Sequence, residues 1–518
     1  MAIEKEFTLE SVEAILKHSG ILRTLFTIRK HIFHPSFCVS IEKLCSLIGL
    51  ELDKCSNLPT KIRKKNVMAV SAVQPTFQKG CICVQMYDDT EDDMRWAVKN
   101  GAYAIVVKKI ISGLPCIVHD FPEKIYAQMC GYYRSLSKVM TVAVTGSIGK
   151  TTTKRMINAV LKQKYDTICN PTNENALYQV GFCAQHIPSE AEFLIQEISE
   201  DTPSYTQLMS EAIKPDVAVI TTIDNSHMEA FGQKENIIKE ICSITNGMSS
   251  DGIVIVNKDE FKWFDYLKVK HYLTISIYDN TADFYASNIQ VDHHGLKFDV
   301  WVKEVGKNYS IELNNIYAVH NVISSLLAFA VGYYYKVDTK DIVNGLKGFK
   351  MSGVRQNILE TKNGIVVYAD CYNAVARSVK SAIEACEKIP ISGKRIAVLG
   401  DIEECGKESE NEHKEIINAA LKSNFSILVT IGSKIYKAIN DINIKNANQK
   451  LIYCHNHQEV VDVLKETCIN GDLVLFKSSH AGKLEQIINI LWPEDYATIN
   501  ESGKNQEYTS WWNRVKRN

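Results

Sequence analysis

The chain alternates between two patterns of apolar and polar positions, one with the period of a strand and one with the period of a helix. Short continuous apolar runs predict buried strands at Val142–Val144, Phe193–Ile195, Val217–Ile220 and Ile253–Val256. The segment after Thr151 instead carries apolar residues three and four positions apart, which predicts an amphipathic helix. Over residues 139–349 strands and helices follow one another in this way, and such alternation favours a doubly wound parallel sheet.

The same patterns divide the 518 residues into segments, since a chain of this length is expected to form about three domains of ~150 residues each. We predict an accessory helical segment at 1–40, an α/β domain at 41–138, a central α/β domain at 139–349 and a C-terminal α/β domain at 350–518. Within the central domain, residues 281–312 have the pattern of a small β insertion. The residues after Trp492 are either a packing helix or a contact for a partner.

Composition and charge exclude several classes of function. Hydrophobic residues make up 45% and charged residues 23% of the chain, as in an ordinary globular protein. The formal net charge of −1 provides no attraction for nucleic acid or an anionic membrane surface. Apolar runs are far shorter than the ~20 residues of a membrane span, and no signal segment opens the chain. We therefore expect a cytoplasmic protein that acts on small molecules, because 15 scattered cysteines without a Cys-x-x-Cys pair favour a reducing compartment.

The candidate chemistry begins in the segment Thr145-Gly-Ser-Ile-Gly-Lys-Thr-Thr152, which joins a predicted strand to a predicted helix. Gly146 and Gly149 bracket a tight loop, where backbone N–H groups and the start of the helix can face an anion. Lys150 would then reach the β- and γ-phosphates of a nucleotide, and Thr151 would hold Mg²⁺ through its hydroxyl group. This arrangement predicts an ATP site.

Two later strands end on polar side chains. The strand that starts at Phe193 ends on Glu197, whose buried charge requires a cation such as Mg²⁺ beside a triphosphate. The strand around Val217–Ile220 continues into His227, a candidate contact for metal or phosphate. A salt-bridged carboxylate at the rim of the sheet and an ordinary structural histidine are the alternatives.

The loop sequence Thr-Gly-x-x-Gly-Lys-Thr-Thr resembles the Mur ligase family, whose members join a carboxylate to an amine at the expense of ATP. The resemblance extends over roughly residues 41–490 and includes the segments Tyr317-Ala-Val-His-Asn321, Gly353-Val-Arg355, Asp370-Cys-Tyr-Asn373 and Val398-Leu-Gly-Asp401. It implies an α/β protein of three domains: a substrate-binding N-terminal domain, a central P-loop domain with a doubly wound parallel sheet, and a Rossmann-like C-terminal ligase domain.

The resemblance also implies the roles of the site residues. Catalysis would depend on Lys150, Glu197, His227 and Arg355. Mg²⁺ would be held by Thr151, Glu197 and His227. ATP would be bound by Gly146, Ser147, Gly149, Lys150, Thr151, Thr152, Asn321, Arg355, Asp370 and Asn373. In the reaction that the family implies, the γ-phosphate moves to the carboxylate, and an amine attacks the resulting acyl phosphate.

Three positions depart from the family pattern. Val73-Gln74-Pro75 stands where many members carry Asp-Ser-Arg, which helps to hold a uridine nucleotide. Ile241 occupies the position where the family usually has a lysine that becomes carbamylated and bridges two metal ions. Val375-Ala376 replaces Asn-Pro after the Asp370 motif.

Three functions are compatible with these observations. We favour an amide-forming ligase that acts on a small-molecule carboxylate and on the amine of an amino acid or peptide. The first alternative is a peptidoglycan enzyme that adds D-Ala-D-Ala to a UDP-linked tripeptide, and the second is an ATP-binding scaffold without turnover. The retained lysine, carboxylate and arginine oppose the scaffold, while the departures oppose the peptidoglycan enzyme. The oligomeric state and the identity of both substrates are not determined by the sequence.

Overall fold

The computed structural model describes residues 38–73, 76–224, 227–351, 353–441 and 449–499. The predicted accessory segment at 1–40 therefore lies almost entirely outside the described residues, as do Gln74 and Pro75. The predicted tail helix is described only to residue 499. Residues 493–499 are helical, and Trp492, Tyr496 and Ile499 pack into the core of the C-terminal sheet, so this part of the tail is a packing element.

The first folded region is built on a small parallel sheet. Ahead of it, β1 (Val39–Ser40) and β2 (Asn66–Val67) pair antiparallel. The sheet follows the order β3 (Val70–Ser71), β4 (Ile82–Val84), β5 (Ala104–Val107) and β6 (Cys116–Val118). Its helices are α1 (Ile41–Leu47), α2 (Leu52–Cys55), α3 (Thr60–Arg63), α4 (Glu91–Lys99) and α5 (Pro122–Ser135). Thr90 is the N-cap of helix α4, and its hydroxyl group and backbone form a capping box with Asp93.

The central sheet carries the predicted loop at the end of one of its inner strands. Its strands are β7 (Met140–Thr145), β8 (Thr167–Cys169), β9 (Phe193–Glu197), β10 (Val217–Ile220), β11 (Ile253–Asn257), β12 (His271–Ser276), β13 (Phe284–Asp292), β14 (Gly295–Val302) and β15 (Lys307–Asn314). They are ordered β15-β14-β13-β12-β11-β10-β7-β9-β8, and the part from β13 to β8 is parallel. The loop therefore lies at the carboxyl edge, where sheets of this kind bind ligands.

Helices cover both faces of the central sheet, which explains why its inner strands are apolar along their whole length. These helices are α6 (Lys150–Leu161), α7 (Leu177–Gln185), α8 (Tyr205–Ile213), α9 (Met228–Phe231), α10 (Lys234–Cys242), α11 (Asn321–Tyr334) and α12 (Thr339–Lys347). Short 3₁₀ helices occur at Ser243–Gly247 and Phe264–Tyr266. The small β insertion predicted at 281–312 corresponds to β13, β14 and β15, which continue the central sheet at its edge.

The C-terminal sheet is parallel except at one edge. Its strands are β16 (Asn357–Glu360), β17 (Val366–Asp370), β18 (Arg395–Gly400), β19 (Ile427–Ile431), β20 (Lys450–Cys454) and β21 (Leu473–Lys477), in the order β16-β17-β21-β18-β19-β20. Its helices are α13 (Ala376–Lys388), α14 (Ser409–Lys422), α15 (Ser433–Asn440), α16 (His457–Thr467) and α17 (Glu485–Leu491), with 3₁₀ turns at Gly406–Glu408 and His480–Gly482. Only β16 runs antiparallel to its neighbour within this described sheet.

The domain boundaries predicted at 138/139 and 349/350 fall in connections between these sheets and stay predictions. All 15 cysteines belong to the described residues and are free thiols. Among the described helices, none has both the length and the apolar character needed to cross a membrane.

The first sheet and the central sheet are joined by one continuous hydrophobic core. Met129 on α5, Val180 on α7 and Leu208 on α8 are buried in the same cluster. At the end of α7, the side-chain oxygen of Gln185 accepts a hydrogen bond from the Val70 backbone nitrogen at 2.7 Å. The amide nitrogen of Gln185 donates to the Val70 carbonyl at 3.0 Å, so this side chain pairs with β3 as a neighbouring strand would.

Replacing Gln185 should weaken this joint. Gln185→Ala leaves the backbone N–H and C=O of Val70 without their partner, and we expect the free energy of unfolding to fall by about 1–3 kcal/mol. Urea denaturation followed by tryptophan fluorescence measures the change. The control is Gln163→Ala, because the Gln163 side chain is exposed and bonds to the carbonyl of Ala159, four residues earlier in the chain. Equal losses in the two variants would contradict the role of Gln185.

Candidate active site

The loop after β7 is shaped by the neighbouring strand β10. Gly146 has a φ of 129°, and a Cβ atom at this position would lie 2.2 Å from the Thr221 hydroxyl oxygen. The backbone nitrogen of Ser147 donates to the Thr222 carbonyl at 2.8 Å. Gly149, with a φ of 85°, forms the N-cap of α6, so the N–H groups of the first helical turn have no partner within the helix and face the loop. Glycine is needed at 146 because both space and backbone angle exclude a side chain.

A cavity of about 210 Å³ opens beside this loop, and we call it the loop cavity. It collects residues from both the central and the C-terminal sheets. The predicted site residues that line it are Ser147, Gly149, Lys150, Thr151, Thr152, Glu197, His227, Arg355, Asp370 and Asn373. The other two predicted residues, Gly146 and Asn321, do not line it.

Lys150 is held by a carboxylate that the sequence analysis missed. Its ammonium group lies 2.7 Å and 3.0 Å from the two carboxylate oxygens of Glu200 and donates to the Gly146 carbonyl at 2.7 Å. The side chain of Glu200 is fully buried, and that of Lys150 is only 13% exposed. The only sequence signal for Glu200 was its position three residues after Glu197.

Glu197 is ionised and fixed in place. Its carboxylate accepts a hydrogen bond from the Asn175 amide at 2.9 Å. The ammonium group of Lys154 lies 3.6 Å away. Burial would raise the pKa of Glu197, but the charges of Lys154 and Arg355 outweigh it and hold this pKa below its ordinary value.

Thr151 and Glu197 fit a magnesium ion. Hydroxyl and carboxylate oxygens are ligands that suit Mg²⁺, and both side chains line the loop cavity. The Oε2 atom of Glu197 is buried and accepts no hydrogen bond; the Lys154 ammonium group faces it at 3.6 Å, so the atom keeps its capacity as an acceptor for a metal ion. Within the described residues, no cluster of three or more His, Cys, Asp or Glu side chains could hold a metal ion unaided. Phosphate oxygens of a nucleotide would have to complete the coordination.

His227 connects the central sheet with the C-terminal sheet. Its Nδ1 atom contacts the carboxylate of Glu404, and its Nε2 atom lies 3.8 Å from Glu200. Burial would lower the pKa of His227, but the hydrogen bond with Glu404 and the charge of Glu200 raise it above its ordinary value. The predicted metal ligand is thus engaged by two carboxylates.

The C-terminal sheet supplies two cations to the loop cavity. The guanidinium group of Arg355 stacks over the Tyr372 ring, 3.8 Å from its centroid, and this contact fixes the direction of its planar fork. Lys477 pairs with the buried Asp370 at 2.9 Å and donates to the Asn373 carbonyl at 2.6 Å. Asp370 therefore orients a lysine that the sequence analysis did not select.

Asn321 does not line the loop cavity but contacts Gln356, which does. Its amide group donates to Gln356 at 2.9 Å, and Gln356 in turn lies 2.8 Å from Nε2 of His320. His320 lines a second cavity of about 310 Å³, together with Gly149, Ile323 and Tyr278. We call it the side cavity, and its place next to Gly149 suits the nucleoside of a nucleotide whose phosphates occupy the loop cavity. Asn321, which was predicted to bind ATP, contacts Gln356 beside this cavity, and its role stays a prediction.

Val73 and Ile241, from two of the three departures from the family pattern, lie in apolar surroundings, whereas Val375 of the third lines the loop cavity. Ile241 is fully buried in the core cluster between the first and central sheets. Lys239 lies on the surface, where it pairs with Glu235 at 2.7 Å, so neither residue brings an amine to the loop cavity. Val73 is buried beside Phe77, while Gln74 and Pro75 are outside the described residues.

Comparison with known proteins identifies two matching family models. The model of the Mur ligase middle domain matches residues 144–332, and that of the Mur ligase, glutamate ligase domain matches residues 354–480. The UDP-N-acetylmuramoyl-tripeptide–D-alanyl-D-alanine ligase of Bacillus subtilis is 31% identical over 68% of this chain and 75% of its own length. The enzyme of that name from Buchnera aphidicola (subsp. Baizongia pistaciae) is 27% identical over 88% of this chain and 98% of its own length.

Solved structures show the same fold. MurF from Acinetobacter baumannii superposes with a TM-score of 0.74 at 19% identity, covering 89% of this chain and 99% of its own. The MurF ligase from Thermotoga maritima, solved in complex with ADP, gives a TM-score of 0.71 at 20% identity, with coverages of 83% and 99%. The predicted α/β architecture, with its central P-loop sheet and C-terminal Rossmann-like sheet, is confirmed.

Replacing Gly146 should destroy the loop. Gly146→Ala places a methyl group against Thr221 and imposes a φ that alanine avoids, so we expect binding of a non-hydrolysable ATP analogue to weaken about tenfold or more. Isothermal titration calorimetry measures the affinity. Gly232→Ala is the control, since Gly232 has a φ of 71° with nothing within 4 Å of an added Cβ. Unchanged affinity in Gly146→Ala would show that the loop does not contact the nucleotide.

His320 should make stability depend on pH. Burial lowers its pKa to about 4, whereas an unfolded histidine titrates near ~6.5. Because the pKa of His320 is lower in the folded than in the unfolded state, its contribution to the free energy of unfolding is complete above pH ~6.5 and is lost as the pH falls towards 4. We expect His320→Gln to lose less stability than wild type between about pH 7 and about pH 4.5 in urea denaturation. His271→Gln, at an exposed histidine, should follow the wild type; identical profiles for all three proteins would refute this assignment.

Proposed function

Because this chain belongs to the Mur ligase family, we propose that it joins the carboxylate of one small molecule to the amine of an amino acid or peptide. The chain is an ATP-dependent ligase that forms carbon–nitrogen bonds, as the members of this family are. The proposal concerns its two substrates and the residues that act on them. The observation that carries it is the convergence of Lys150, Glu197 and Arg355, from two sheets, on one cavity.

The loop cavity suits phosphoryl transfer to a carboxylate. A carboxylate resists attack by amines at neutral pH, and conversion to an acyl phosphate provides a leaving group. Lys150 and Arg355 would neutralise the charge that spreads over the oxygens of the transferred phosphoryl group. Thr151 and Glu197 would hold Mg²⁺, which supplies a Lewis acid to the phosphate oxygens when bound. The phosphate then leaves as the amine forms the amide bond.

Contacts between the central and C-terminal sheets would protect the intermediate. His227 meets Glu404 across the cavity, and Arg377 meets Glu260 beside the side cavity. An acyl phosphate hydrolyses if water reaches it, so closing the cavity around it favours the amine over water. The position of these ion pairs at the cavity rim supports that role.

We propose further that the carboxylate substrate is not carried on a uridine nucleotide. Val73 is buried among apolar side chains and offers neither a carboxylate nor a guanidinium group to a ribose or pyrophosphate. The second candidate is the reaction named for the relatives, in which UDP-N-acetylmuramoyl-tripeptide receives D-alanyl-D-alanine, and their similarity favours it. In either case we assign the reaction to the cytoplasm, where ATP is supplied.

An isotope experiment tests the reaction and the substrate together. Carboxylates labelled with ¹⁸O are incubated with MgATP and a panel of amino acids and dipeptides that includes D-alanyl-D-alanine. We expect phosphate release only when acid and amine are both present, with one ¹⁸O atom moved into the phosphate. Formation of the amide with no ¹⁸O in the released phosphate would exclude an acyl phosphate.

The panel also contains UDP-N-acetylmuramoyl-tripeptide. We expect it to react slowly, because each lost charge-assisted hydrogen bond costs about 1.5–3 kcal/mol of binding free energy. If it is instead the best substrate with D-alanyl-D-alanine, the second candidate is correct. Absence of any acid-dependent turnover would leave an ATP-binding scaffold.

A further inference from the structure

Gln356 follows Arg355 directly and has a backbone conformation that residues with a side chain rarely adopt. Its φ is 52°, in the left-handed region where a Cβ atom is crowded by a neighbouring carbonyl oxygen. A strained conformation of this kind persists only where the surrounding contacts hold it, and such positions cluster at functional sites. The contacts that hold Gln356 therefore bear on the placement of Arg355.

The side-chain amide of Gln356 is held at both of its polar atoms by the start of helix α11. The Asn321 amide donates to Oε1 of Gln356 at 2.9 Å. This bond places the amide nitrogen of Gln356 towards Nε2 of His320, 2.8 Å away, so this ring nitrogen accepts. The other ring nitrogen, Nδ1, then carries the proton and donates to the Ser381 hydroxyl oxygen at 2.7 Å. We call the two hydrogen bonds of Gln356 with Asn321 and His320 the amide clamp.

Arg355 lies between the amide clamp and a second backbone anchor. The carbonyl of Val354, one residue before the arginine, accepts a hydrogen bond from the Cys371 backbone nitrogen at 3.1 Å. The chain is thus held on both sides of Arg355, whose guanidinium group stacks over the Tyr372 ring and lines the loop cavity. Because a long side chain loses rotamer freedom when it is ordered, a fixed backbone lowers the entropy cost of aiming the guanidinium group.

We propose that Gln356 is a positioning residue of the ligase, whose amide clamp holds the adjoining backbone so that Arg355 faces the phosphates of the bound nucleotide. The inference rests on the proposed function, in which Arg355 neutralises these phosphates. Gln356 also lines the loop cavity, but its amide oxygen and nitrogen are both engaged with α11, which favours an action through Arg355. Since His320 lines the side cavity, the clamp also connects the wall of the nucleoside cavity with the arginine.

A double-mutant cycle tests this role in the full-length protein without acid or amine substrates. Isothermal titration calorimetry measures the affinity for β,γ-imido-ATP with Mg²⁺ in wild type, Arg355→Ala, Gln356→Gly and the protein with both substitutions. We expect Arg355→Ala to weaken binding about tenfold or more, and Gln356→Gly to weaken it about fivefold. In the Arg355→Ala background, Gln356→Gly should change the affinity less than about twofold, because no guanidinium group is left to orient.

Two more variants separate the clamp from general effects on the fold. Asn288→Gly is the matched control, since Asn288 also has a φ of 52° and a side-chain hydrogen bond, to Asp299, but is exposed on β13. It should bind the analogue as wild type does. Gln356→Asn tolerates the left-handed backbone, but its side chain is one methylene group too short to make both bonds of the clamp. It should weaken binding only while Arg355 is present, which keeps the test available if Gln356→Gly folds poorly.

Three results would overturn the proposal. Equal losses from Gln356→Gly in the wild-type and Arg355→Ala backgrounds would show that Gln356 acts independently of the arginine. Unchanged affinity in Gln356→Gly would show that the clamp does not position the arginine. Either result leaves the proposed ligase reaction untouched. Wild-type affinity in Arg355→Ala would instead refute both this inference and the contact between Arg355 and the nucleotide.

Discussion

Pairing of opposite charges in a buried cavity is the constraint on which the site depends. Lys150 pairs with Glu200, Lys154 with Glu197, and Lys477 with Asp370. Removing one member of such a pair leaves a buried charge that costs about 3–5 kcal/mol, so these residues have to be placed together. The register of the central sheet does this, because β7 and β9 are parallel neighbours and Val144 lies opposite Glu197. The carboxylate at the end of one strand therefore faces the loop at the end of the other.

The sequence was most informative where a structure is determined by local pattern. Continuous apolar runs predicted the inner strands, since helices bury both faces of a parallel sheet. Gly146 and Gly149 identified the loop, because its backbone angles and the closeness of Thr221 exclude side chains. The family motifs then indicated the fold, which the solved structures confirm.

Features that depend on contacts between distant segments were not predictable in the same way. Glu200 belongs to no motif, and its ion pair with Lys150 forms only in the folded chain, where the end of β9 lies beside the loop. The partner of His227 is Glu404, which belongs to another sheet. At the start of α11 the motif indicated Asn321, whereas the position of its neighbour His320 in the side cavity became visible only in the structure, where Gln356 contacts both residues. The β strands at 284–314 were recognised, but their continuation of the central sheet depends on pairing with β12.

The contact between the first and central sheets differs in kind from the contact between the central and C-terminal sheets. An apolar core and the paired Gln185 fuse the first sheet to the central one, and such a joint is rigid because sliding would open voids. The joint to the C-terminal sheet includes ion pairs at the cavity rim, such as His227 with Glu404, whose partners water can replace. The first two sheets thus form one packed unit, and the C-terminal sheet, which brings Arg355 to the loop cavity, meets this unit partly through polar contacts.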